Sequence, residues 1–225
     1  MKSAPLNIII TWATGMVGEW VLHVCLHNDN IDKVTIINRS RLDLTHPKLT
    51  QIIHEDLSDL TTIMSQLHWY DACYWCLGTT SLGKSKPDYE HITYDLTLWA
   101  ARTLAALNAN MTMCYISGQG TDRTQTSRLH RARIKGKTET DLALLFPSSN
   151  YSYRPSYIHP ITGLTHTLSL YRYISWMYPL IRKRAHNHAN TLQELWESMI
   201  ALTLHWYSQD ILEPKDIRKS AQSLE

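Results

Sequence analysis

The 225 residues are 44% hydrophobic and carry 22 basic against 20 acidic side chains, for a net charge of +2. That is enough apolar material for one sizeable core, while the near balance of charge supplies no general field for nucleic acid or an anionic membrane. No segment offers the roughly 18 uninterrupted apolar residues of a membrane span, and the apolar run of "MKSAPLNIII" is too short for a signal peptide, so a soluble, cytoplasmic protein is expected.

The first element is a strand over residues 7–11, "NIIIT", followed by a turn and a helix over Met16–His27. The stretch "NIIITWATGMVGEW" is laid out like a dinucleotide-binding turn, but Trp12 stands where its first glycine belongs. In such a turn the first glycine permits the tight bend, the second lets backbone approach a pyrophosphate, and the third lets helix pack on strand. Gly15 and Gly18 supply the last two. Thr11 at the strand end and Trp12 in the turn are expected among the cofactor contacts, and with Thr14 ahead of the helix the backbone N–H groups of Gly15, Met16 and Val17 are expected to face an anion at the positive end of the helix dipole.

A glycine-like backbone at Trp12 would cost about 1–2 kcal/mol, which a domain with roughly 5–15 kcal/mol of stability survives. Three outcomes are open for the indole: it fills the cleft, it rotates aside and stacks on a neighbour, or it stacks with the adenine of a displaced cofactor.

Strands at residues 33–38, 51–54, 72–77, 111–117 and 151–154 alternate with helices near 60–66, 88–107 and 127–145. Short apolar runs separated by helical patterns are the mark of βαβ units. The fold class expected is α/β, a Rossmann-type doubly wound parallel sheet of order 3-2-1-4-5-6, with room for a seventh short strand and a small C-terminal helical lobe. Ligand residues should then follow strand ends. At the end of the second strand stand Asn38 and Arg39, about 20 positions beyond the glycine turn, where an acid favours NAD and a base the 2′-phosphate of NADP. NADP is favoured over NAD.

"CYWC" at residues 73–76 has CxxC spacing, but inside a strand its two thiols point to opposite faces, and no second pair completes a zinc site. Core packing is expected of all four cysteines, in keeping with a reducing compartment, and no metal site is expected. His186 and His188 in "AHNHA" read as a solvated helix end rather than a chelate.

Past Pro155 the pattern loosens, and one helix is expected over residues 192–207. No Gly, Ser or Pro linker separates this part, so residues 1–225 read as a single domain in which 156–225 form a substrate-side lobe. Its segment 168–184, rich in Tyr, Trp, Leu and Ile and ending in "RKR", suits a protein partner, a second copy of the chain or a membrane surface; the plainer reading is a helix packed on its own lobe.

Taken together, "ATGMVGE" (13–19), "INRS" (37–40), "HEDLSDL" (54–60), "DACYWCLGTTS" (71–81), "YISGQGTD" (115–122), "ARIKGKTE" (132–139) and "YRP" (153–155) make the chain resemble an atypical short-chain dehydrogenase/reductase, of the small NAD(P)-binding, epimerase-like kind, over nearly its whole length. The resemblance implies that Asp56 and Leu57 hold the adenine end of the cofactor and that Cys76, Leu77 and Gly78 wall its ribose. It also implies that Ser117 hydrogen-bonds the substrate oxygen, that Lys135 is the lysine of a YxxxK motif and holds the nicotinamide ribose, and that Arg154 and Pro155 line the nicotinamide side.

One departure concerns chemistry. Where that motif has its tyrosine, this chain has Arg131, whose guanidinium does not act as an acid or base near neutral pH but stabilises an oxyanion or clamps a carboxylate or phosphate. Tyr153 or Tyr94 is a candidate replacement for the phenol. Two functions follow: an NADP-linked oxidoreductase or epimerase-like enzyme acting on a small carbonyl or sugar-like substrate through Ser117, Lys135 and Arg131, or a non-catalytic scaffold that senses a nucleotide or engages a protein.

Overall fold

A computed structural model describes residues 5–81, 83–159 and 189–224. Strand β1 (Leu6–Thr11) leads through a turn to α1 (Met16–His27), β2 (Ile31–Asn38) and β3 (Leu49–Ile53). A 3₁₀ turn (Thr61–Gln66) precedes β4 (Ala72–Trp75). Then come α2 (Lys86–Glu90), a π-helical turn (His91–Asp95), α3 (Leu96–Leu107), β5 (Thr112–Ile116), α4 (His130–Leu145) and β6 (Asn150–Tyr153). Beyond them lie β7 (Tyr157–His159), β8 (Ala189–Thr191), α5 (Leu192–Leu204), β9 (Ile211–Leu212) and α6 (Pro214–Ala221).

The main sheet has the order β3-β2-β1-β4-β5-β6-β9 and every pairing in it is parallel. This is the Rossmann-type order expected, extended by β9 as a seventh strand. A parallel sheet must be covered on both faces, and β1 shows how. Ile8 and Ile10 join α1, α5 and α6 in one apolar cluster, while Ile9 joins α3 and α4 in the other. All three are fully buried, each contributing about 1.5–3 kcal/mol. Cys73 and Cys76 fall into opposite clusters, and all four cysteines are buried and unpaired.

The helix expected over 127–145 begins only at His130. Residues 122–127 wind instead around the Asp122 carboxylate, which accepts from the Thr124 hydroxyl at 2.5 Å, from its N–H at 2.9 Å and from the Ser127 N–H at 2.7 Å. These bonds, led by that of the Thr124 hydroxyl, pull the Asp122 pKa down to about 2.

The helix expected over 88–107 is present from residue 86 but broken by the π turn at 91–95. Helix α5 ends at Leu204 and starts on a capping box: the Thr191 hydroxyl accepts from the Glu194 N–H at 3.0 Å, and Glu194 accepts from the Thr191 N–H at 3.0 Å. Segment 168–184, His186 and His188 lie outside the described residues. Among the described residues no helix is long and apolar enough to cross a membrane.

Candidate dinucleotide and substrate cleft

The loops after β1, β2, β3 and β4 open at one end of the sheet, as the topology requires. Trp12 occupies the left-handed region with φ 57°, so the position is the glycine-type bend its sequence context implies. The Gly15 N–H donates to the Trp12 carbonyl at 3.0 Å and closes the turn.

Helix and turn are in tight contact at Gly18: a Cβ there would lie 2.3 Å from the Trp12 carbonyl oxygen. A Cβ on Gly15 would lie 2.9 Å from Trp12 Cδ1. The indole therefore lies over Gly15, across the start of α1, where no side chain caps the helix. The ring also meets Arg39, whose guanidinium carbon is 4.7 Å from the ring centroid.

The ring stacks on a neighbour, Arg39, and at the same time rests on Gly15, so it joins features of the first two outcomes expected for it.

Beyond the indole lies a cavity of about 440 Å³ lined by Trp12, Arg39, Glu55, Asp56, Leu57, Leu77, Gly78, Thr79, Lys84, His91, Ile92 and Leu96. Six residues singled out in the sequence thus meet on one wall: Trp12, Arg39, Asp56, Leu57, Leu77 and Gly78. The π turn brings His91 and Ile92 to the same cavity, a use of such turns seen at ligand sites. Asp56 is held rigid by Ser58, whose hydroxyl donates at 2.5 Å and whose N–H donates at 2.8 Å. Those bonds, the hydroxyl's first, lower its pKa.

Other expected residues serve the frame. Thr11 is buried and its hydroxyl accepts from the Cys76 N–H at 3.2 Å. The buried Asn38 carbonyl accepts from the Ala13 N–H at 3.0 Å, tying the turn to β2, while its Nδ2 has no partner. Burial pushes the Cys76 thiol up to about 12. Thr14, Gly15, Met16 and Val17 are half-buried along the turn and the first coil of α1.

On the other side of β4, Ser117 and Lys135 come together. The Lys135 ammonium donates to the Ser117 carbonyl at 2.7 Å. The Ser117 hydroxyl, 5% exposed, pairs with that of Thr121 at 3.1 Å. Burial lowers the Lys135 pKa to about 8; the Glu139 carboxylate opposes the shift and the Arg131 charge adds to it.

Arg131 is exposed one turn earlier on α4, at the edge of a second cavity of about 260 Å³ that it shares with Ser81, Lys84, Ser85, Lys86, Tyr89, Leu129 and His130. Lys84 lines both cavities.

Arg154 is engaged elsewhere. Its Nε and Nη2 donate to the fully buried Glu139 at 2.9 and 2.6 Å, and Nη1 reaches Glu213 at 3.4 Å. Pro155, buried, accepts from the Gln119 N–H at 3.1 Å. Neither tyrosine considered as a replacement phenol is free. The Tyr94 hydroxyl donates to Asp141 at 2.6 Å, and the fully buried Tyr153 accepts from the Ser198 hydroxyl at 3.3 Å.

Sequence reasoning missed Lys84, Lys86, Tyr89 and His91. Their signal was the helix start in "GKSKPDYEH" (83–91), in the connection that follows the fourth strand, with Ser85 capping α2 and Pro87 in its first turn.

No family model matches the chain. Leucinostatins biosynthesis cluster protein T of Purpureocillium lilacinum is 33% identical over 140 residues, which are 61% of this chain and 51% of that protein. The chain thus spans about half the length of the curated relative it matches. Among solved structures, the enzyme WbmF of Bordetella bronchiseptica in complex with NAD+ superposes with a TM-score of 0.68 at 12% identity, covering 100% of this chain and 78% of that one. Uronate dehydrogenase of Agrobacterium tumefaciens gives 0.67 at 14% identity, covering 93% and 76%. The UDP-N-acetylglucosamine 4-epimerase of Methanobrevibacter ruminantium, in complex with UDP-N-acetylmuramic acid, gives 0.66 at 15%, also covering 93% and 76%. At such identities the likeness is one of fold, and the chain shares the fold of these epimerase and dehydrogenase structures.

Proposed function

We propose that the chain binds a nicotinamide dinucleotide in the manner of short-chain dehydrogenase/reductases, with NADP favoured over NAD, and works on a small carbonyl or sugar-like substrate. The observation that carries this reading is the cavity of about 440 Å³ at the sheet's carboxyl end, in which Arg39, Asp56, Leu57, Leu77 and Gly78 converge from three strand ends.

The fit differs between the two ends of such a cofactor. The adenosine end fits: the cavity is large enough, Asp56 offers an acceptor, and Arg39 offers the charge a 2′-phosphate needs. Glu55 on the same rim favours a free ribose hydroxyl instead, so the preference rests on Arg39. At the pyrophosphate end the indole of Trp12 lies over Gly15, and Thr14, Gly15, Met16 and Val17 can reach an anion only when that ring swings away.

When bound, a nicotinamide dinucleotide supplies or accepts a hydride. The chain's own part is to hold Lys135 beside Ser117 and to present the Arg131 charge one helical turn away. Arg131 stabilises an oxyanion electrostatically; it does not donate the proton a phenol would. Arg154 and Pro155 frame this side through Glu139 and Gln119, and residues 156–225 act as the substrate-side lobe of a single unit. The buried, unpaired thiols fit a reducing compartment such as the cytoplasm.

The test is the melting temperature with NADPH and with NADH. A ligand at about 100 times its dissociation constant stabilises by roughly 2.7 kcal/mol, a shift of a few degrees. The larger shift is expected with NADPH, and Arg39→Gln should erase the difference. No shift with either at millimolar concentration overturns the reading.

A second reading, a nucleotide-sensing or protein-binding scaffold without catalysis, is favoured by the indole over Gly15 and by the engagement of both Tyr94 and Tyr153 elsewhere. Binding of adenosine nucleotides with no turnover of any carbonyl in the parent or in Arg131→Tyr would select it.

A further inference from the structure

The cavity of about 260 Å³ between the loop after β4, α2 and the start of α4 is lined by Lys84, Lys86 and Arg131, with His130 beside them and no carboxylate on its wall. None of the three cations is paired with a carboxylate among the described residues. Asp88, close by in sequence, is already bound: its carboxylate accepts from the Ser85 hydroxyl at 2.6 Å, and its N–H donates to that oxygen at 3.2 Å.

Three like charges lining one concavity repel each other, and among the described residues no carboxylate forms an ion pair with any of them. Arg131 stands one helical turn before Lys135 on α4 and shares the cavity wall with Tyr89. The remaining wall is made by Leu129 and by Tyr89, whose ring is 3% exposed and packs edge-on to His130 at 6.3 Å.

We infer that this cavity is the specificity subsite for an oxyanion group, a carboxylate or a phosphate, on the substrate, with Arg131 as its bidentate clamp and Lys84 and Lys86 as flanking charges. The inference rests on the proposed reading in that it takes this end of the sheet as the substrate side. Arginine forks match both oxyanions, and the apolar Leu129 and Tyr89 suit a short carbon skeleton behind the charged group. Arg131 is thereby a recognition residue in place of an acid. A neutral sugar or simple carbonyl compound leaves the cations uncompensated and binds poorly.

The test is titration calorimetry at low ionic strength with inorganic phosphate, glucuronate and glucose, alongside a separate titration with NADPH. Phosphate or glucuronate binding in the millimolar range or tighter, without glucose binding, is expected; which of the two binds tighter identifies the oxyanion. Arg131→Gln should weaken it at least about tenfold and Lys86→Gln less, with melting temperatures unchanged because both side chains are exposed. The exposed Lys215→Gln on α6 controls for net charge.

The inference is overturned if neither anion binds, if glucose binds as well as glucuronate, or if the loss follows Arg39→Gln or Lys215→Gln instead of Arg131→Gln. NADPH binding without anion binding removes this inference and leaves the dinucleotide reading. Anion binding without NADPH removes the reading and leaves the subsite.

Discussion

The Arg39 guanidinium lies 4.7 Å from the centroid of the Trp12 indole, and the Cδ1–Nε1 edge of that indole lies against Gly15. One residue thus forms a wall of the adenosine-sized cavity and covers the helix terminus where a pyrophosphate would be held. The cation–π contact is worth about 0.5–1 kcal/mol at an exposed site, and the left-handed backbone beneath it costs about 1–2 kcal/mol.

Trp12→Gly should therefore release backbone strain and uncover Gly15 while losing the indole's packing. NADPH affinity is expected to rise by about tenfold or more, roughly 1.4 kcal/mol. Adenosine 2′-monophosphate, which carries no phosphate on its 5′ oxygen, should change by no more than about threefold, since only the adenosine cavity would hold it. Equal gains for both ligands would show that the indole obstructs the adenosine end instead.

Gly136 on α4 faces backbone: a Cβ there would lie 1.9 Å from the Asp122 carbonyl oxygen and 2.7 Å from the Arg123 nitrogen. Gly136→Ala must push α4 from that loop, and overpacking of this kind costs about 1–3 kcal/mol. A drop in the urea midpoint is expected. Gly78→Ala, where a Cβ meets nothing within 4 Å, should leave the midpoint nearly unchanged.

Glu139 is fully buried between two arginines, Arg123 at 3.1 Å and Arg154 at 2.6 Å, and Arg123 passes on to Asp210 at 2.7 Å. Glu139→Gln keeps the shape and removes the charge, leaving two partly buried guanidinium groups short of a partner. A loss of about 3–5 kcal/mol in unfolding free energy is expected. A loss under about 1 kcal/mol would mean that water reaches the site.

Lys135 has its pKa lowered from 10.5 to about 8 in the folded chain. Between those values the unfolded chain holds the proton and the folded chain does not, so the unfolded state binds more protons and stability rises with pH there. Below pH 8 the burial penalty is fully present. The stability of the parent relative to Lys135→Met should thus grow in the parent's favour from about pH 8 to 10.5, as read by urea unfolding at each pH. A flat difference would place the ammonium in free solvent.

The strand order was legible in the sequence because it rests on local signals. "NIIIT", "ACYW" and "TMCYI" are short apolar runs that bury both faces, and a parallel sheet with right-handed crossovers leaves few ways to arrange them. Gly18 announced the close approach of α1 to the turn. The convergence of Arg39, Asp56 and Leu77 followed from their positions just past strand ends.

Long-range side-chain geometry decided the rest. The fork of Arg154 meets Glu139, 15 positions away, because β6 and α4 lie side by side, and no local pattern announces that pairing. The π turn at 91–95 and the late start of α4 at His130 came from local hydrogen bonds that outcompete helix periodicity. The joining of Lys84 and Lys86 to Arg131 depends on how the loop after β4 lies against α4. Above all, the sequence by itself put a tryptophan in the turn after β1, and only the tertiary structure decided that its ring meets both Gly15 and Arg39. A backbone bend is set by neighbours in the chain, but the direction of a side chain is set by whatever the fold brings beside it.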